Sequence, residues 1–420
     1  MIKQFIKSSF AKNVSVLASG TIIGQAAPIL FSPILSRLFS PAEFGTLAIF
    51  LAISSFISNV SMFRYEFAVV LPKKDRDALH IVSLSISILL FVTLLTGCFI
   101  CLFRFNICKI FNEPQLVNWL LLVPFYIFIQ GIWRLLNYWS TRKGNFKDIA
   151  IGNVLRTYGN SIVSVGLGVL ALGKNVGLIL GTVIGQLFET TFLLFQRGKI
   201  LRVAIKNIKR VYLKEYAIRY KRFLLIDTPH VIIDNINNQG SPFIIAYYFS
   251  KQSLGYYSFM MRILRLPVAL IGSSISQVLY RTIAHSYANE ENISSKVKKI
   301  TFVLFLFSVI PSLILFFFAP KLFAFVFGEE WRIAGEYASI LSLYMCTHFV
   351  VSSLSFVPYV IGRMKFDFIF STICNLLFVL LLIASSAFGN DFSVGLWLIN
   401  IVISSLYMGY IIWILRIVKQ

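Results

Sequence analysis

Stretches of about 20 predominantly apolar residues, the length at which an α-helix crosses bilayer hydrocarbon, recur along nearly the whole of this chain. Twelve can be placed, centred near residues 24, 56, 91, 127, 161, 187, 237, 268, 308, 347, 378 and 406. The longest connector between them is 197–222, and none is large enough for a folded soluble domain. Backbone immersed in hydrocarbon must satisfy its own N–H and C=O groups, which confines such a chain to helices packed on helices. Composition agrees. Hydrophobic residues make up 57% and charged residues 13%, against about 25% charged in soluble domains; mean hydropathy is +0.79. The first apolar stretch is too long for a signal peptide and has no small-residue cleavage site, so it is expected to be retained.

The net charge of +22 raises the question of nucleic acid, and the placement of the charges answers it. With the N-terminus inside, Lys and Arg crowd the segments that face inward, ten of them within 197–222 alone (RGKILRVAIKNIKRVYLKEYAIRYKR). That is the positive-inside bias, completed by attraction to anionic inner-leaflet lipid. It predicts both termini in the cytoplasm, and membrane lipid rather than nucleic acid as the partner. Residues 197–222 read as a basic cytoplasmic hinge whose charges act collectively, so that losing Lys206 or Lys209 singly should matter little. The hinge divides residues 1–196, an N-terminal six-helix lobe, from residues 223–420, a C-terminal one.

A shift of 210 residues aligns Phe39-Ser40 with Phe249-Ser250 and Gly45 with Gly255. An even number of spans in each half gives parallel repeats about an axis along the membrane normal. The predicted fold is therefore an all-α polytopic membrane protein, twelve transmembrane helices in two six-helix lobes around a central cavity.

The spans are not uniformly apolar. The second carries Arg64 and Glu66, two residues apart and so on roughly opposite helix faces. The fourth has Gln130, Arg134, Asn137 and Tyr138 on one face, and the fifth has Asn153, Arg156, Asn160 and Ser164. Glu189 lies near the inner end of the sixth, below Gly177, Gly181 and Gly185, which form a packing seam. In the seventh, Asp227, His230, Asp234 and Asn238 fall at i, i+3, i+7 and i+11, one face of a helix, widened by Asn235. The eighth carries Arg262 and Arg265. His348, alone on an apolar helix, reads as a packing residue.

A charge at mid-bilayer costs at least about 2.5–3.5 kcal/mol. Five arginines on spans 2, 4, 5 and 8 therefore point to a cationic cavity, and guanidinium groups suit phosphate-like anions. Arg64, Arg134, Arg156, Arg262 and Arg265, with Asn153, Asn235 and Asn238, are the expected substrate contacts. Glu66, Asp227, His230 and Asp234 are the expected carriers of a coupling H+ or Na+. The alternative is internal salt bridging with no transport role.

Catalytic signatures do not appear: no phosphate-binding loop motif, no His pair at metal spacing, no nucleophile elbow. The five cysteines make no framework, and the CxxC at Cys98 and Cys101 has no second pair. The expectation is a transporter with no cofactor and no metal. A membrane-embedded polysaccharide polymerase or ligase is the rival class, although the outside loops are short for it.

The entry to and exit from the second span, FSPAEFGTLAIFLAISSFISNVSMFRYEFAVVLPKKDRDA, resembles the Wzx-type polysaccharide flippases of the multidrug/oligosaccharidyl-lipid/polysaccharide exporter superfamily. The RYExAxxLP pattern falls on Arg64, Tyr65, Glu66, Ala68, Leu71 and Pro72. The resemblance implies a flippase for undecaprenyl-diphosphate-linked oligosaccharide units (O-antigen or capsule repeat units) in the bacterial inner membrane. It implies alternating access, ion coupling, and a polysaccharide polymerase and chain-length regulator as partners. Lipid II flippases of the superfamily look similar but usually have two further spans. Multidrug exporters favour an acidic cavity, against which the five arginines argue.

Overall fold

A computed structural model describes residues 9–170, 176–206, 208–267, 283, 293–386 and 391–418, with side chains from residue 19 onward apart from a few within helices. Among the described residues every regular element is helical. Six long helices come first: α1 Ser9–Leu38, α2 Pro41–Val60, α3 Asp75–Ile110, α4 Leu122–Arg142, α5 Phe146–Val169 and α6 Val176–Arg197. Two short linker helices follow, Lys199–Lys206 and Arg210–Arg219. Then come α7 Thr228–Tyr248, α8 Lys251–Pro267, α9 Ile293–Phe327, α10 (Arg332–Ile340 and Ser342–Leu354), α11 Met364–Ser386 and α12 Phe392–Ile417.

Helix reaches every expected centre except the one near residue 268, where description stops at Pro267. By length and hydropathy alone, 8 helices among the described residues qualify as spans, or up to 9 with α10, whose halves are bent by 57°. Helix α5, which carries Arg156, is not among them, and neither are α7 with the polar stripe and the described part of α8, 17 residues long, with Arg262 and Arg265. At 1.5 Å per residue, α3 with its 36 residues is about 54 Å long. That exceeds the roughly 30 Å of hydrocarbon, so its ends project beyond it.

The chain divides into two compact units, one of Met1–Phe39 and Thr46–Phe243, the other of Ser40–Gly45 and Ile244–Gln420. This boundary falls inside α7, whereas the expected lobes part at 197–222.

In the first unit, close packing rests on missing side chains. A Cβ on Gly20 would lie 2.4 Å from the Ala150 Cβ, and one on Gly24 2.8 Å from Asn153 Nδ2. The spacing of four thus seats α1 on α5, as small residues do in membranes. The seam on α6 works alike: a Cβ on Gly181 would meet Ser164 Oγ at 2.0 Å, and one on Gly185 the Arg156 carbonyl at 2.6 Å. Asn160 and Ser164, expected on a water-facing stripe, are therefore pressed against a neighbouring helix.

The second unit has a core where α9, α10 and α12 meet, built of Val297, Leu304, Val350, Leu354, Tyr410 and Ile414. An aromatic knot joins Phe44 to Phe259 (5.1 Å between ring centres) and Phe44 to Trp331 (5.2 Å). Of the residues aligned by the 210-residue shift, Gly45 and Gly255 lie beside each other in this unit. A Cβ on Gly45 would stand 2.1 Å from the Lys251 carbonyl, and one on Gly255 would stand 1.7 Å from the Pro41 carbonyl. Positions 41 and 251 are themselves equivalent under the shift, so the contact is reciprocal. His348 packs face to face with Tyr344, ring centres 5.6 Å apart.

Candidate functional site

The second span does not run through Arg64 and Glu66 as one helix. It ends at Val60; Phe63 (φ 51°) and Arg64 (φ 63°) are left-handed, and a 3-10 helix follows over Tyr65–Val70. A left-handed L-residue costs roughly 1–2 kcal/mol, so its neighbours must hold it there. The break separates the two charges. The Arg64 guanidinium lies over the Phe67 ring at 3.8 Å, and that ring packs on Tyr138 at 4.6 Å. Its buried Nε has no hydrogen-bond partner. Glu66 is wholly buried and pairs instead with Arg134, Oε1 to Nη1 at 3.5 Å.

Arg134 is almost fully engaged. Nη1 donates to the Ser58 carbonyl at 3.0 Å, and Nη2 donates to Ser58 Oγ and Asn59 Oδ1, each at 3.3 Å. Asn59 Nδ2 donates in turn to Asn235 Oδ1 at 2.8 Å, and Asn235 Nδ2 reaches the Phe56 carbonyl at 3.4 Å. One chain of contacts therefore runs Glu66–Arg134–Asn59–Asn235 through α2, α4 and α7. It corrects part of the expectation. Both ends of the Asn235 amide are used in fastening α7 to α2, and Arg134 has little donor capacity left for a substrate.

A second cluster forms between α5 and α6. Arg156 Nε stands 2.9 Å from Glu189 Oε2, and Nη2 donates to Asn153 Oδ1 at 2.8 Å. Glu189 is buried rather than interfacial. The Arg156 side chain is 41% exposed, so its remaining N–H groups face open space while Asn153 orients them. Arg262 is half-buried and Arg265 exposed on α8. Among the described residues, no salt bridge joins Arg64, Arg262 or Arg265 to a carboxylate.

The seventh span also departs from a regular helix. Phe223–Asp227 forms a π-helical turn, with Thr228 Oγ1 on the Phe223 carbonyl at 3.0 Å, before α7 begins. The π turn ends at Asp227, immediately before α7 begins. Such turns often mark functional positions. Asp227 is half-buried and His230 exposed. Asp234 and Asn238 lie on α7, with side chains outside the described residues. The sequence reading missed Ser58 and Asn59. A polar pair one turn before the RYE pattern was the available signal.

Residues 34–336 match the family described as polysaccharide biosynthesis protein. The chain belongs to that family. This polysaccharide biosynthesis protein is 22% identical over 336 residues to the succinoglycan biosynthesis transport protein ExoT of Rhizobium meliloti (strain 1021). That match covers 79% of the chain and spans 64% of the relative's length. Its fold is shared with lipid II flippase MurJ in an inward closed conformation, at TM-score 0.74 and 15% identity, over 96% of this chain and 89% of that one. A multidrug resistance MATE family transporter of the MOP superfamily, inward-facing, gives 0.71 at 13% identity, over 95% and 94%. The expected polysaccharide family holds, as does an all-α, multi-pass membrane fold.

Proposed function

We propose that this protein is a flippase that moves undecaprenyl-diphosphate-linked oligosaccharide repeat units across the bacterial inner membrane by alternating access, coupled to H+ or Na+. The observation that carries the reading is an excess of cation in apolar helices. Two of the five arginines are matched by carboxylates, while Arg64, Arg262 and Arg265 have no salt bridge among the described residues. Unmatched guanidinium groups in a membrane protein call for an anion, and a diphosphate suits their planar fork. Arg64, Arg262 and Arg265 are the proposed principal contacts, and Arg156 and Asn153 are proposed as further ones. Glu66 is proposed as a coupling group because its Oε2 is buried without a hydrogen-bond partner, and Asp227, His230 and Asp234, all in the same unit, are proposed with it. Support comes from the family and from ExoT, named a transport protein. A polymerase and a chain-length regulator are proposed partners, and both termini are proposed to be cytoplasmic.

The test is reconstitution. Purified protein in liposomes should carry a lipid-diphosphate oligosaccharide between leaflets without making or breaking a glycosidic bond. Arg262→Ala and Arg265→Ala should abolish or sharply reduce this while the protein stays inserted and folded. Lysine at either place should restore part of it, since charge returns without the fork. A new glycosidic linkage in the products would instead identify a polymerase or ligase.

A further inference from the structure

The basic linker, expected as a plain hinge, is docked on the first unit. Ser83 Oγ donates to the Ala204 carbonyl at 2.7 Å, Tyr216 to Asp77 Oδ1 at 2.8 Å, and Tyr65 to the Ala217 carbonyl at 3.0 Å. Burial and the Asp77 carboxylate push the Tyr216 hydroxyl up to about 12, so it remains a donor. Where the linker meets the first turns of α3 it leaves a cavity of about 100 Å³, lined by Arg76, Leu79, His80, Lys209 and Tyr212. That is several times the roughly 10–15 Å³ one water needs.

The lining is built for an anion. Arg76 and Lys209 bring two cations. His80 is only 6% exposed, and its ring is held against Tyr212 at 4.3 Å and Tyr216 at 5.3 Å. Its buried Nδ1 has no hydrogen-bond partner, which is costly unless something in the cavity supplies one. Lys209 caps the second linker helix and Lys74 caps α3, and neither cap side chain makes a capping bond. The cavity thus lies at the positive ends of two helices, the arrangement that favours phosphate. Of the nearby acids, Asp75 pairs with Arg142 at 3.1 Å and Glu215 is exposed; Asp77 accepts from the neutral Tyr216 hydroxyl and keeps its charge, one carboxylate against the two cations of the lining.

We propose that this cavity is a second, phosphate-recognising site on the basic face of the first unit, separate from the arginines of the spans. It does not depend on the flippase reading. The phosphate would come from a lipid headgroup or from a soluble phosphate compound. It also revises the expectation for Lys209, which is no longer one interchangeable charge among ten.

The test uses the full chain. Titration calorimetry with inorganic pyrophosphate in detergent, at low ionic strength with chloride as control, probes the soluble source. Native mass spectrometry from nanodiscs of phosphatidylcholine, alone or mixed equally with phosphatidylglycerol, counts retained anionic lipid. The paired change Arg76→Ala with Lys209→Ala should weaken whichever binding is seen about tenfold or more. His80→Phe, which keeps the stacked ring but removes Nδ1, should weaken it too, and Lys206→Ala should not. Saturable pyrophosphate binding lost in the variants identifies a soluble ligand; lipid retention lost in them identifies a headgroup. The proposal is overturned if wild-type protein binds neither probe, or if the variants, with unchanged thermal unfolding, bind as the wild type does.

Discussion

Arg134 and Arg64 bear the same charge and do opposite things. Arg134 holds α2, α4 and the buried Glu66 together through four donated bonds. Removing one partner of a buried pair leaves an uncompensated charge, which costs about 3–5 kcal/mol, whereas replacing both with apolar groups is often neutral. Arg134→Met should therefore lower the thermal unfolding midpoint strongly, and Glu66→Leu with Arg134→Met should recover much of it. A double variant as unstable as the single would show that the pair is not what matters there. Arg64 sits at φ 63°, so Arg64→Gly should be more stable than Arg64→Ala, and both should lose transport alike if the guanidinium is the working part. The five arginines were plain in the sequence, and so was the unlikelihood of Arg64 pairing with Glu66. Their partners were not legible. Ser58 and Asn59 lie 76 and 75 positions from Arg134, and the left-handed turn at 63–64 is announced by neither glycine nor proline.

At the scale of elements, the glycines separate by what they face. A methyl group on Gly131 would meet the side chain of the buried Leu89, nearest at 2.4 Å, whereas one on Gly45 would meet backbone at 2.1 Å. Overpacking costs about 1–3 kcal/mol where the neighbour cannot yield. Gly131→Ala should therefore lower yield and melting temperature less than Gly45→Ala and Gly255→Ala, which should each depress both. Equal effects in a fluorescent-fusion stability assay would undo this distinction. The spacing of small residues on α1 and α6 was readable because close approach follows directly from it. The seventh span was readable only in part. Its polar stripe was evident, but the π turn over Phe223–Asp227 was not, because no residue in that stretch signals it.

For the whole molecule, the hydropathy rhythm conveyed the all-α class, while the boundary of the compact units was out of reach because contacts far apart in sequence decide it. Reporter fusions should show the C-terminus and the 197–222 linker on the cytoplasmic side; a fusion after Gln420 active only in the periplasm would refute the proposed topology. The reciprocal contact of Gly45 with Lys251 and of Gly255 with Pro41 has a consequence in time. Synthesis runs at roughly 5–20 residues per second, so the 210 residues between the two glycines take about 10–40 s to make. Throughout that interval the first turn of α2 is complete but its partner does not exist. One of the earliest segments made is thus among the last to be matched, and the cell must keep it from false partners meanwhile. Pulse labelling should find Gly45→Ala chains inserted at the normal rate and degraded only after residue 255 has emerged.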